Sequence, residues 1–127
     1  MAISDACYNV ATPLFRNWVF IDAAKRYASV ELRSEALAAT LNARASVYDA
    51  GSEGVLTEEE VKAINGDLEG IANAISDGLL PTAKKRLEDL SEQTFMHALQ
   101  KVVDCECSRL SPHFIFFSLH PRWGFSA

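Results

Sequence analysis

Thr57 and Glu60 stand three residues apart, directly ahead of Val61, Ile64, Leu68, Ile71 and Ile75. This pattern constrains the fold more than any other in the chain. A hydroxyl residue followed three positions later by a carboxylate is the capping-box signature of a helix start, in which each side chain satisfies a backbone N–H at the other's position. The apolar residues behind it recur at intervals of three and four, which puts them on one stripe of an α-helix. Leu56, just before the cap, is spaced to pack on Val61 as a hydrophobic staple. A helix beginning at Glu58 therefore carries an apolar face that another element must cover.

The rest of the pattern supplies more helices. Pro13 behind Thr12 reads as a first helical position behind a capping hydroxyl, so a first helix is expected from Pro13, with Leu14, Trp18, Ile21, Ala24 and Ala28 on its stripe. Around Ser29 to Ser34 the chain bends or continues into a second helix, whose expected stripe is Leu37, Leu41, Ala45 and Tyr48. The alanines at 36, 38, 39 and 43 favour helix and permit close approach of a neighbour. Asp49 to Gly54 reads as a loop. In the third helix Gly66, Gly70 and Ala74 form a small-residue ridge suited to a close helix contact, each glycine costing about 1 kcal/mol against alanine. A break at Asn65-Gly66 is the alternative. Asp77-Gly78 stops that helix, and Pro81 opens a fourth, reaching about Val103 on a stripe of Leu87, Leu90, Thr94, Ala98 and Val102, widened by Phe95 and Leu99. No strand-like alternation is convincing, although His113 to Leu119 has the composition of a short extended segment.

The 127 residues, 49% of them apolar, suffice for one hydrophobic core. The expected fold is all-α, a four-helix bundle-like single domain over residues 1–107 with an aromatic C-terminal extension at 108–127. A net charge of −5 disfavours nucleic-acid binding, which relies on clustered Lys and Arg. Much of the acid lies between Asp49 and Asp77, against Lys62 alone. The start of the chain does not read as a signal peptide, and no apolar run is long enough to cross a membrane. With three cysteines, Cys7, Cys105 and Cys107, the simpler expectation is reduced thiols and a cytoplasmic location.

Chemistry-bearing motifs are few. The segment 49–60 resembles an EF-hand calcium loop, with Asp49 at its first position, Glu53 at its fifth, Gly54 at its sixth, Thr57 at its ninth and Glu60 at its twelfth. Gly51 at the third position offers no ligand, and Thr57 and Glu60 are already accounted for by the cap. Cys105, Cys107, His113 and His120 make a Cys-x-Cys, His, His set of donor types suited to tetrahedral zinc. His97, beside Phe95 and Leu99 on an amphipathic helix, reads as a structural histidine rather than a base. No nucleophile elbow, phosphate loop or cofactor motif is present, and no enzymatic activity or cofactor is expected.

The tail holds Phe114, Phe116, Phe117, Trp123 and Phe125, large apolar side chains that pack on their own domain or anchor a partner. The function expected from all this is non-catalytic: an interaction or assembly protein that self-associates or docks on a protein partner through its helices and tail. Two alternatives belong to other classes. One is an ion-binding module, with calcium at 49–60 or zinc at the Cys/His set. The other is a small acidic inhibitor covering a basic nucleic-acid-handling protein.

Overall fold

A computed structural model describes residues 5–110, which form four helices: α1 (Asp5–Ser29), α2 (Arg33–Ser52), α3 (Glu58–Ser76) and α4 (Leu80–Leu110). The capping box forms as expected. Thr57 is extended, its hydroxyl accepts the Glu60 N–H at 3.1 Å, and its own N–H donates to Glu60 Oε1 at 2.9 Å. Behind it Ile64, Leu68, Ile71 and Ile75 are buried in the core with Leu14 and Ile21 of α1, Val47 of α2 and Leu87 of α4. Successive helices run antiparallel, as the pairing of Asn17 with Ala43, of Arg33 with Ser76 and of Glu60 with His97 indicates, and α4 returns antiparallel to α1, with Trp18 on Ser91. α1 makes the most extensive contacts, on both α2 and α4, and α3 rests mainly on α2.

One device turns the chain three times. After α3, Gly78 takes a left-handed conformation (φ 80°), its N–H reaching the Ile75 carbonyl at 3.0 Å and the Leu79 N–H the Ala74 carbonyl at 2.8 Å. This is a Schellman cap, which satisfies the last carbonyls of a helix. After α2, Gly54 (φ 78°) does the same, with Val55 N–H on the Ala50 carbonyl. After α1 the pattern repeats with Glu31 in the left-handed position (φ 61°) and Leu32 N–H on the Tyr27 carbonyl. The Ser29–Ser34 region is thus a capped turn. The Arg33 guanidinium then donates to the Ser76 carbonyl, pinning the start of α2 to the end of α3.

Several expectations are corrected. α1 starts at Asp5, so Pro13 lies inside the helix, and Thr12 is not a cap: its hydroxyl donates back to the Tyr8 carbonyl at 3.1 Å. On α2 the stripe is displaced to Ala36, Ala39, Thr40, Ala43, Ser46, Val47 and Ala50, leaving Leu41 and Tyr48 exposed. The reason is spacing: the Asn17 amide is wedged against α2, donating to Ala43 O and Ser46 Oγ, both at 2.8 Å, and small residues leave it room. α3 runs unbroken through Asn65-Gly66. Of its glycines, Gly66 faces no neighbour, since a Cβ there would meet nothing within 4 Å, whereas Gly70 admits the Arg86 guanidinium of α4. α4 continues past Val103 to Leu110, across the expected boundary at 107/108, and the tail beyond 110 lies outside the described residues.

Gly66→Ala is accordingly expected to stabilise the protein by about 0.5–1 kcal/mol, since it adds helix propensity and removes unfolded-chain freedom without a clash. A urea midpoint that fails to rise would show that α3 needs flexibility there.

The expectation of three reduced thiols is also overturned. Cys7 and Cys105 form a disulfide across 98 residues of sequence, joining the start of α1 to the last turns of α4, while Cys107 is free and exposed. No helix among the described residues is long and apolar enough to cross a membrane.

Candidate functional site

The sequence places aromatic residues on α1 at Tyr8, Phe15 and Trp18 and on α4 at Phe95, and the antiparallel packing of these helices lines them up along their shared seam. Tyr8 stacks on Phe15 with ring centroids 5.8 Å apart, Phe15 meets Phe95 edge-on at 6.1 Å, and Phe95 meets Trp18 at 5.1 Å. Offset and edge-to-face pairs at these separations add to the stabilisation from burial alone. Trp18 Nε1 donates to Ser91 Oγ at 3.0 Å, which fixes the indole. The ladder is not core: Tyr8 is 52% exposed, and Val19, Met96 and Val103 beside it expose 53%, 58% and 51%. Phe15, Trp18, Phe95 and Leu99 are half-buried.

One end of the ladder opens into a concavity of about 430 Å³ lined by Trp18, Asp22, Lys25, Glu88, Ser91, Glu92 and Phe95. Its base is aromatic and its rim mostly acidic. Burial alone would raise the Asp22 carboxyl, but its bonds to Arg26 and Lys25 hold it below the usual carboxylate range. The other end of the ladder is the Cys7–Cys105 disulfide, next to Tyr8.

The structure places the residues of 49–60 as follows. α2 extends through Ser52, so Asp49 is helical and its carbonyl accepts the Glu53 N–H at 3.0 Å. Gly54 is the cap of α2. Glu60 divides its carboxylate between the Thr57 N–H and His97, whose Nε2 lies 3.5 Å from Oε2. The three acids do not converge, and the space beside the turn is instead a largely apolar concavity of about 470 Å³ walled by Tyr48, Leu56 and Val61 among others. For the zinc set, Cys105 is committed to Cys7, so its sulfur is no thiolate ligand; Cys107 is exposed, and His113 and His120 lie outside the described residues. Among the described residues no group of three or more His, Cys, Asp or Glu side chains is placed to hold a metal. The tail residues Phe114, Phe116, Phe117, Trp123 and Phe125 also lie outside the described residues.

His97 is 1% exposed, in keeping with a structural role. Burial, reinforced by the Lys101 ammonium, lowers its pKa to about 3. The Glu60 carboxylate acts in the opposite sense, but at 3.5 Å and already engaged in the cap it leaves burial in control. Elsewhere in the interior Asn17 Oδ1, the Asn65 amide and the Thr94 hydroxyl make no hydrogen bond among the described residues, so these polar groups carry a desolvation cost.

The apolar residues of the ladder were legible individually, as Trp18, Phe95 and Leu99 on their helices. Tyr8 was not, because α1 was expected to begin after it, and no local signal pairs α1 with α4. Fold and site together define a four-helix bundle with an aromatic seam left half open on its outside. The chain matches no protein-family model, and no significant similarity to a curated protein or a solved structure is found.

Proposed function

We propose that this chain is a non-catalytic assembly protein that self-associates through the α1/α4 aromatic face. The observation that carries the reading is the ladder of four half-open rings on helices that also expose Val19, Met96 and Val103, apolar side chains left outside an already closed core. Exposed patches of this kind mark interaction sites, and Trp and Tyr are the side chains that dominate binding energy. A two-fold contact would bury the same patch on both copies. The mostly acidic rim around Trp18 would favour a cation beside whatever apolar group enters there.

The test is native mass spectrometry of the full chain beside a Val19→Glu/Met96→Glu variant. Both positions are more than half exposed, so the variant is expected to fold. An oligomer that dissociates to monomer in the variant supports the reading. A wild-type chain that stays monomeric at tens of micromolar, the order of concentration at which weak surface contacts fill, overturns it. The disulfide suits a compartment that maintains cystines; in a reducing cytoplasm the pair would sit as thiols, and its state in cell extracts discriminates the two locations.

A further inference from the structure

We propose that the concavity at the Trp18 end of the aromatic ladder binds a small quaternary ammonium compound, its cationic head against the Trp18 and Phe95 rings and Glu92 as its counter-charge. The site stands on the cavity and its lining, not on the assembly reading, so a chain that stays monomeric leaves it intact.

The base of the cavity offers ring surface. Trp18 and Phe95 lie with centroids 5.1 Å apart and planes tilted by 53°, and both are half-buried, so part of each remains open. The one polar side-chain atom between them, the indole Nε1, is engaged by Ser91 Oγ at 3.0 Å, and Ser91 is itself buried. That bond orients the indole before any ligand arrives, which lowers the ordering cost of binding. Aromatic faces carry negative potential and attract cations, quaternary ammonium ions among them. The volume of about 430 Å³ is on the scale of small-molecule sites.

Charge narrows the ligand class. Of the three carboxylates on the rim, Asp22 is bonded to Lys25 at 2.9 Å and to Arg26 at 2.8 Å, and Glu88 has Lys84 at 3.9 Å. Glu92 is exposed and forms no ion pair among the described residues; Glu88, Asp89, Phe95 and Met96 stand one turn away from it on α4, and none is a cation. A positive head in the cavity therefore meets a carboxylate that is not already neutralised. A hard metal ion is a poor match, because among the described residues no three acids, histidines or cysteines converge and rings cannot replace its oxygen ligands. A quaternary ammonium has an apolar methyl surface and no N–H to satisfy, which suits a base made of rings. A carboxylate on the same ligand would face the acidic rim, so the class is one with a neutral chain, such as choline.

The test is an NMR titration of the full chain that follows the Trp18 indole N–H resonance, told apart from that of Trp123 with a Trp123→Phe variant. The probes are choline, glycine betaine, which adds a carboxylate, and 3,3-dimethylbutan-1-ol, the uncharged isostere. Choline is expected to shift the resonance saturably below about 50 mM. Betaine should bind at least about threefold more weakly, and the uncharged alcohol should give no saturable shift. Glu92→Gln, at an exposed position where folding is not at issue, should weaken choline about threefold, and Phe95→Leu about fivefold or more. The proposal is overturned if the indole does not respond to choline, if the alcohol or betaine binds as tightly, or if neither substitution changes the affinity.

Discussion

Reduction of Cys7–Cys105 is expected to lower global stability by about 4–5 kcal/mol, the chain-entropy value for a crosslink closing a loop of roughly a hundred residues. For a chain of this size that corresponds to a fall in Tm of roughly 10–20 °C. The effect acts through the unfolded chain, which gains freedom once its ends are no longer tied. The folded core does not depend on the bonded helix ends for its large side chains, since Leu14, Ile21, Ile64, Leu68 and Leu87 all lie away from Cys7 and Cys105 in sequence. The reduced chain should accordingly still melt in one cooperative transition, at lower temperature. Thermal denaturation followed by circular dichroism, with and without reductant, checks this, and Cys107→Ser should keep the high midpoint because Cys107 is outside the bond. A shift of only a degree or two would mean that the unfolded chain remains compact enough for the crosslink to restrict little.

Acid should destabilise the protein through His97 before most carboxylates titrate. Its folded pKa of about 3 lies below the ordinary value of 6.5, so as pH falls the unfolded chain takes up the proton first. The contribution is complete above about pH 6.5 and is lost progressively as pH falls toward 3. Between pH 7 and pH 5 the loss amounts to about 2 kcal/mol, because unfolded histidine gains most of its charge in that interval while the buried ring gains almost none. The groups facing the ring bear this out in sign: Lys101 opposes a charged imidazole, and Glu60, which favours it, is held in the helix cap. Urea unfolding at pH 7, 6 and 5 for the wild type and His97→Gln isolates the effect, since other titrating groups are common to both. Parallel pH dependences would show that Glu60 compensates the buried charge after all.

Comparing residues shows where sequence patterns carried information and where they did not. Thr57, Glu60 and the stripe behind them act within a single turn or along one helix, so spacing alone was enough to read them. The same holds for Gly78, whose left-handed conformation suits glycine. Glu31 occupies the equivalent position after α1, and nothing in a glutamate announces it; the bond geometry of the turn imposes the conformation on an unfavoured residue. Gly54 was visible as a turn residue but open to two readings, because a calcium loop and a helix cap ask for the same backbone freedom. Leu41 and Tyr48 misled by size: large apolar residues suggest the buried face, yet where α2 meets the Asn17 amide the residues are the small Ala43 and Ser46. The Cys7–Cys105 bond and the aromatic seam depend on α1 lying beside α4. Such long-range pairing leaves no trace in local periodicity.

The meeting of Cys7 and Cys105, with Cα atoms 5.5 Å apart, makes the described chain in effect a closed ring of four helices. Chain order and spatial neighbourhood then become separable. The turn between α2 and α3, where Ser52, Glu53 and Gly54 are exposed, could be cut without dividing the molecule, since the two pieces would each hold one of the bonded cysteines. A protease nick there would leave a single covalent species whose halves part only in reductant. Linking the start of α1 to the end of α4 and opening the ring at this turn would give a circular permutant with the same four neighbours in contact.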